Sequence, residues 1–119
     1  MRAPGVFVRP LMIRSMLLAG LLLAPPASAD QWFAVPPEVW DRPRSAGVIV
    51  GQPVIRRAVD MHAAHPGSRL VIHHSAGQES LMHAEELRAW LIALAVSPGR
   101  VTLNGGLGSG EPLKIEIKP

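Results

Sequence analysis

The sequence predicts an α/β fold of the α+β kind, a two-layer sandwich with a βαβ core and two helices on one face of a mixed sheet of three or four strands. Residues 70–72 (Leu-Val-Ile), inside the segment 69–74, indicate a strand that is covered on both faces. Apolar residues then recur at spacings of three and four across residues 80–95, which is typical of a helix. Val101 and Leu103 flank a polar residue and predict a second strand. A helix between two strands usually joins parallel neighbours in one sheet, and such a crossover is nearly always right-handed. These segments therefore predict a right-handed βαβ unit.

The first 29 residues have the three parts of an export signal. Three arginines form a basic start, residues 16–24 form an apolar stretch, and residues 27–29 (Ala-Ser-Ala) supply the small side chains that a signal peptidase accepts. The apolar stretch is far shorter than the roughly 20 residues that span a bilayer. We therefore predict a cleaved signal peptide over residues 1–29, export to the periplasm, and no stable membrane span after cleavage.

Charge argues against nucleic acid as a partner. All nine acidic residues lie beyond Ala29, whereas three of the twelve basic residues precede it, so the mature chain has nine of each sign and a net charge near zero (9 − 9). The basic pI of about 10.6 therefore belongs to the precursor. The chain also lacks cysteine, so its exported part must be stabilised by its core without disulfides.

Residues 30–51 are rich in proline and predict an irregular N-terminal arm. Three of the four aromatic residues after Ala29 lie here, and we expect their rings to pack on the domain. The alternative is an exposed aromatic patch for a partner or a glycan ring. Residues 47–50 (Gly-Val-Ile-Val) predict a short edge strand.

The domain itself is predicted to span residues 52–119. Pro53 suits the first position of a helix that ends before Pro66, and Ser80 is expected to cap the second helix. Residues 104–110 contain four glycines and predict a flexible turn. Residues 113–117 (Leu-Lys-Ile-Glu-Ile) alternate apolar and polar, which favours a half-buried antiparallel strand.

From Pro53 onward the chain resembles the OmpA-like C-terminal domain of bacterial envelope proteins. His74-Ser75 falls where that family has Gly-His-Thr-Asp, residues 95–101 resemble its helix-exit segment, and residues 106–108 and 113–117 match in order and type. The resemblance covers about 65 residues. It implies the two-layer fold and a binding surface at the loop between strand and helix.

The resemblance implies four candidate ligand-binding residues: His74, Ser75, Ala76 and His83. The family holds the peptidoglycan stem peptide with an acidic side chain just after the strand and an arginine on the following helix, where this chain has Ala76 and His83. Alanine makes no charge-assisted hydrogen bond, which argues against peptidoglycan binding by the family mechanism. We therefore expect a non-catalytic, exported cell-envelope domain that binds a protein or a cell-wall component, with no cofactor.

Two other functions compete with this interpretation. Five histidines lie between His62 and His83, and His62 and His65 are spaced to share a helix face, which suggests a periplasmic metal-binding module with these two as weak candidate ligands. His73 and His74 are strand neighbours and should point to opposite faces. A small hydrolase is the second alternative, although Ser75 beside His74 has no Gly-x-Ser-x-Gly elbow.

Overall fold

The computed structural model describes residues 30–119, and the predicted signal peptide lies outside them. These residues form an α+β fold with a four-stranded mixed sheet, as predicted, and with three α-helices where two were predicted. The strands are β1 (Gln31–Ala34), β2 (Arg69–Ser75), β3 (Val101–Leu107) and β4 (Lys114–Lys118). The helices are α1 (Ala46–Val50), α2 (Pro53–Ala64) and α3 (Gln78–Ala93), and 3-10 turns occupy Pro37–Asp41 and Pro98–Arg100.

The strands are arranged in the order β1-β4-β2-β3. β2 and β3 are parallel and are joined through α3, which confirms the predicted βαβ unit. β4 is antiparallel to both of its neighbours, β1 and β2, which confirms the orientation predicted for the last strand. Since β4 lies between two strands, the last element of the chain joins the N-terminal arm to the βαβ unit.

The core lies between the helices and one face of the sheet. It buries residues of all three helices together with alternate residues of the strands: Ile49, Ile55, Ala58, Leu70, Ile72, Ala84, Leu87, Leu91, Val101, Ile115 and Ile117. Along β2 the burial alternates, with Leu70 and Ile72 fully buried and Val71 half-buried. The prediction that this strand is covered on both faces is therefore wrong. The helices cover one face, and the polar residues of β4 border Val71 on the other.

The junction between β2 and α3 differs from the prediction. The helix begins at Gln78, and Ser80 lies inside its first turn without capping it. The Ser80 hydroxyl instead accepts a hydrogen bond from the Ser75 backbone N–H at 3.0 Å. This contact satisfies a donor that β2 leaves unpaired as it ends, and it fixes the loop against the helix.

The N-terminal arm is more ordered than its prolines suggest. Residues 47–50, predicted as a strand, belong to helix α1, because the Ser45 hydroxyl accepts the Val48 N–H at 3.3 Å and caps the helix. Ile49, one of the β-branched residues of this helix, is buried in the core. β1 lies at one edge of the four-stranded sheet, where it pairs with β4 from Gln31↔Ile117 to Ala34↔Lys114.

The prediction of a flexible turn over residues 104–110 is wrong for its first four residues, because β3 continues to Leu107. Gly105 lies beside the His74 ring, and a Cβ at this position would be 3.2 Å from His74 Cε1. The glycine therefore lets the strand approach a buried histidine. Within residues 30–119, none of the helices is long and apolar enough to cross a membrane.

Candidate functional site

A cleft of about 460 Å³ opens where β2 leads into α3, and we call it the junction cleft. Its walls come from three separate parts of the chain: the 3-10 turn of the arm, the β2–α3 junction and the loop before β4. The side chains that give it chemical character are Trp40, Asp41, Ser75, Glu79, His83 and Glu111. The cleft therefore combines an aromatic wall with three carboxylates.

Two of the four predicted ligand-binding residues, Ser75 and His83, line this cleft. His74 is only 8% exposed and donates its Nδ1–H to the Ser75 carbonyl at 2.7 Å, so it supports the loop from beneath. Ala76 is exposed in the turn and is not among the lining residues. Two of the four predicted residues therefore lie on the walls of this cleft, and the other two do not.

His83 is held in place by an aromatic stack. Its ring lies parallel to that of Trp40, with centroids 4.6 Å apart and an interplanar angle of 6°. The Arg44 guanidinium lies 5.6 Å from the centroid of Trp40. Aromatic stacking and cation–π contact restrict the indole to one orientation, so one wall of the cleft is preorganised.

Glu86 supports this stack from the side of α3. Its carboxylate accepts two hydrogen bonds from Arg44, at 2.7 and 2.8 Å, and one from Trp90 Nε1 at 3.2 Å. The Arg44 guanidinium lowers the pKa of Glu86 below its ordinary value, and the Trp90 indole acts in the same direction. Glu86 therefore stays ionised and connects the arm to α3 beside the cleft.

The cleft has a negative electrostatic character. Asp41, Glu79 and Glu111 are all exposed carboxylates on its walls. Glu111 accepts the Gly108 backbone N–H at 2.6 Å and lies 3.4 Å from Lys114 Nζ, and both contacts lower its pKa. Among the described residues that line the cleft, none is a lysine or an arginine, so the cleft favours cationic groups over anionic ones.

Sequence reasoning missed Trp40, Asp41 and Glu111. They lie outside the β2–α3 loop and reach the cleft only because β4 lies between β1 and β2 in the sheet. Local periodicity carries no signal for such an arrangement. Pro37, the first residue of its 3-10 turn, could have indicated an ordered turn that presents Trp40.

The candidate metal ligands do not come together. His62 is buried, with its Nδ1 2.8 Å from the Ser68 hydroxyl, whereas His65 is exposed at the end of α2. Among residues 30–119, no three His, Cys, Asp or Glu side chains are grouped as a metal ion would require. His73 and His74 lie on opposite faces of β2, as predicted.

Comparison with known proteins gives no assignment: no family model matches the chain, and no curated protein matches it. The resemblance to OmpA-like domains therefore stays a prediction, carried by the residues quoted above. The four-stranded mixed sheet with helices on one face is compatible with it.

Proposed function

We propose that this protein is a non-catalytic binding domain of the cell envelope, which takes a cationic segment of a protein or of the cell wall into the junction cleft. The observation that supports this proposal is the composition of the cleft. Three carboxylates surround a fixed Trp40–His83 stack at the end of the sheet where the resembling family binds its ligand. Export by the signal peptide would bring the domain to that compartment.

The ligand class follows from the charges and the apolar wall. An ammonium group at 4 Å from an exposed carboxylate gains only about 1 kcal/mol in water, so three carboxylates select for a cation without binding it tightly. Trp40 and Pro112 offer apolar surface to the carbon chain that carries the charge. A lysine side chain and the diamino acid of a peptidoglycan stem peptide both fit this description.

The mechanism differs from the one that the resemblance implies. Where the family uses a carboxylate just after the strand, this chain has the exposed Ala76, and the carboxylates come instead from Asp41, Glu79 and Glu111. Where the family has an arginine, the imidazole of His83 is stacked on Trp40. A neutral imidazole can donate or accept one hydrogen bond, so it can orient a peptide group beside the bound cation.

Binding to purified peptidoglycan and calorimetric titration with a lysine-containing peptide test the proposal together. We expect Glu79→Gln and His83→Ala each to weaken binding about threefold to tenfold, which corresponds to the loss of one exposed contact. Glu85→Gln is the matched control, since Glu85 is an exposed glutamate of α3 that does not line the cleft. This control should bind like the unaltered protein.

The possible results are distinct. Retention by peptidoglycan that is reduced in both variants would identify a cell-wall ligand. Peptide binding without retention would assign the cleft to protein partners. If neither probe binds, or if Glu85→Gln weakens binding as much as Glu79→Gln does, the junction cleft is not the binding site and the proposal fails.

A further inference from the structure

The face of the sheet opposite the helices carries a second group of chemically distinctive side chains, and we call it the open face. Strand register places Trp32, Glu116, Val71 and Thr102 side by side across β1, β4, β2 and β3. The next row contains Lys114, His73 and Asn104. This face lies away from the core, and none of the residues named here lines the junction cleft, although Lys114 lies 3.4 Å from Glu111 on the cleft wall.

Trp32 is the large aromatic side chain of this face, and it is exposed to solvent on one side and packed against His73 on the other. About half of its surface is accessible (51%), although large apolar side chains usually gain by burial. Its ring stacks on His73, with centroids 4.6 Å apart and an interplanar angle of 27°. His73 Nε2 in turn lies 2.9 Å from Glu116 Oε1, and the His73 and Glu116 side chains are 13% and 6% exposed.

This arrangement fixes the indole from behind and leaves its remaining surface to solvent. A nearly buried carboxylate orients the imidazole, and the imidazole supports the indole. The conformational entropy that a free tryptophan would lose on binding is therefore already lost in the free protein. Such a ring is a rigid platform for a ligand with a flat apolar surface.

The charges around Trp32 are close to balance. Burial alone would raise the pKa of Glu116, but hydrogen bonds from Asp30 and His73, together with Lys118, hold it below its ordinary value. The hydrogen bond to Glu116 raises the pKa of Asp30. Three basic side chains lie on this face: Lys114 and Lys118 flank Glu116 on β4, and Arg69 lies opposite Lys118 on β2. Because Lys114 also lies 3.4 Å from Glu111, these three positive charges face three carboxyls, those of Asp30, Glu116 and Glu111. Neither a cation nor an anion is strongly favoured here, which separates the open face from the acidic junction cleft.

We propose that the open face binds a neutral oligosaccharide, with a pyranose ring stacked on Trp32. The C–H face of a sugar ring is flat and apolar, whereas its edge carries hydroxyl groups that need hydrogen-bond partners. Thr102 and Asn104 offer such groups and are exposed on β3. β3 lies about 14 Å from β1, three strand spacings across the sheet. The indole already reaches across to His73 on β2, so an oligosaccharide that stacks on it and extends along the sheet meets both side chains.

Calorimetric titration with a fully N-acetylated chito-oligosaccharide and with a cello-oligosaccharide, both of them neutral, tests this inference. We expect at least one of them to bind, Trp32→Ala to weaken that binding about tenfold or more, and Trp32→Phe to weaken it less because a ring remains. Met82→Ala is the matched control, since Met82 is a large apolar side chain on α3 that is 58% exposed. It should leave binding unchanged.

The indole Nε1–H signals of the three tryptophans give a readout that stability alone would not change. In the unaltered protein, the oligosaccharide should shift the Trp32 signal and leave those of Trp40 and Trp90 in place. Binding of neither oligosaccharide, or a Trp32→Ala variant that binds as the unaltered protein does, would overturn the inference. Because these probes carry no ammonium group, their failure would leave the cationic-peptide titration, and thus the proposed function, untouched.

Discussion

Glu86 shows how much of the arrangement beside the junction cleft depends on one side chain. It accepts hydrogen bonds from Arg44 and Trp90, and Arg44 also lies over the Trp40 ring that supports His83. The ion pair is partly exposed, with 27% and 30% of the two side chains accessible, so its own stabilisation is modest. Its larger effect is positional, because it fixes the arm against α3 beside the junction cleft.

Replacing this carboxylate should have a measurable and pH-dependent effect. We expect Glu86→Gln to lower the free energy of unfolding by about 1 kcal/mol at neutral pH. The folded pKa of Glu86 is depressed, chiefly by Arg44. Its contribution is therefore fully present above the unfolded pKa of about 4.3, and it is lost as pH falls through the folded pKa. Urea unfolding of both proteins at several pH values measures this difference.

The neighbouring Glu85 supplies the control, since it is an exposed carboxylate on the same helix. Glu85→Gln should change the free energy of unfolding by no more than about 0.5 kcal/mol. A difference in unfolding free energy between Glu86→Gln and the unaltered protein that did not shrink as the pH fell, or that was absent at pH 7, would contradict the role given to the carboxylate.

At the level of elements, the end of α3 carries backbone strain. Ala95 has φ of 82°, in the left-handed region that favours glycine. Its N–H bonds to the Ile92 carbonyl at 3.0 Å, and the Val96 N–H bonds to the Leu91 carbonyl at 3.0 Å. These two bonds form a Schellman motif with alanine where glycine is usual. The motif directs the backbone from the end of α3 towards β3, and the left-handed conformation of Ala95 is part of that turn.

Ala95→Gly should therefore stabilise the protein by about 0.5–1 kcal/mol, which is the relieved strain less the greater entropy of glycine in the unfolded chain. Ala89→Gly, an exposed position inside the same helix, should destabilise it by about 1 kcal/mol. The midpoints of urea unfolding measure both changes. Effects of the same sign for the two variants would show that the left-handed conformation carries no strain.

The packing of α3 on the sheet gives a second test at this scale. Leu87 is fully buried in the core, whereas Met82 on the same helix is exposed. Leu87→Ala should cost about 2–5 kcal/mol of unfolding free energy, and Met82→Ala no more than about 0.5 kcal/mol. A small effect at Leu87, measured by denaturant unfolding, would mean that α3 does not cover the sheet as described.

At the scale of the whole molecule, sequence periodicity predicted the parts whose signals are local. The apolar spacing of α3, Pro53 at the start of α2 and the alternation around Ile115 all gave the correct element types. β1 was missed because four residues carry little periodicity, and its strand structure depends on pairing with β4. The prediction of a strand at residues 47–50 is wrong because it follows the β-branched side chains of this segment and takes no account of the Ser45 cap.

The sites were only partly predictable for the same reason. Ser75 and His83 belong to one loop and helix, so a resemblance in that segment could indicate them. The Trp40–His83 stack and the Trp32–His73 stack each join the arm to the βαβ unit. They exist because β4 inserts between β1 and β2, and no pattern in the arm alone records where its aromatic rings will lie.

Titration of a lysine-containing peptide, followed through the three indole Nε1–H signals, tests the proposed function most directly. Trp40 lines the junction cleft. Trp90 does not line it, but it donates a hydrogen bond to Glu86, which also binds the Arg44 that lies over Trp40. Trp32 lies on the face of the sheet opposite the helices. We expect the peptide to shift the Trp40 signal strongly, the Trp90 signal weakly and the Trp32 signal not at all. A shift of Trp32 alone, or no shift at any of the three, would contradict binding in the junction cleft.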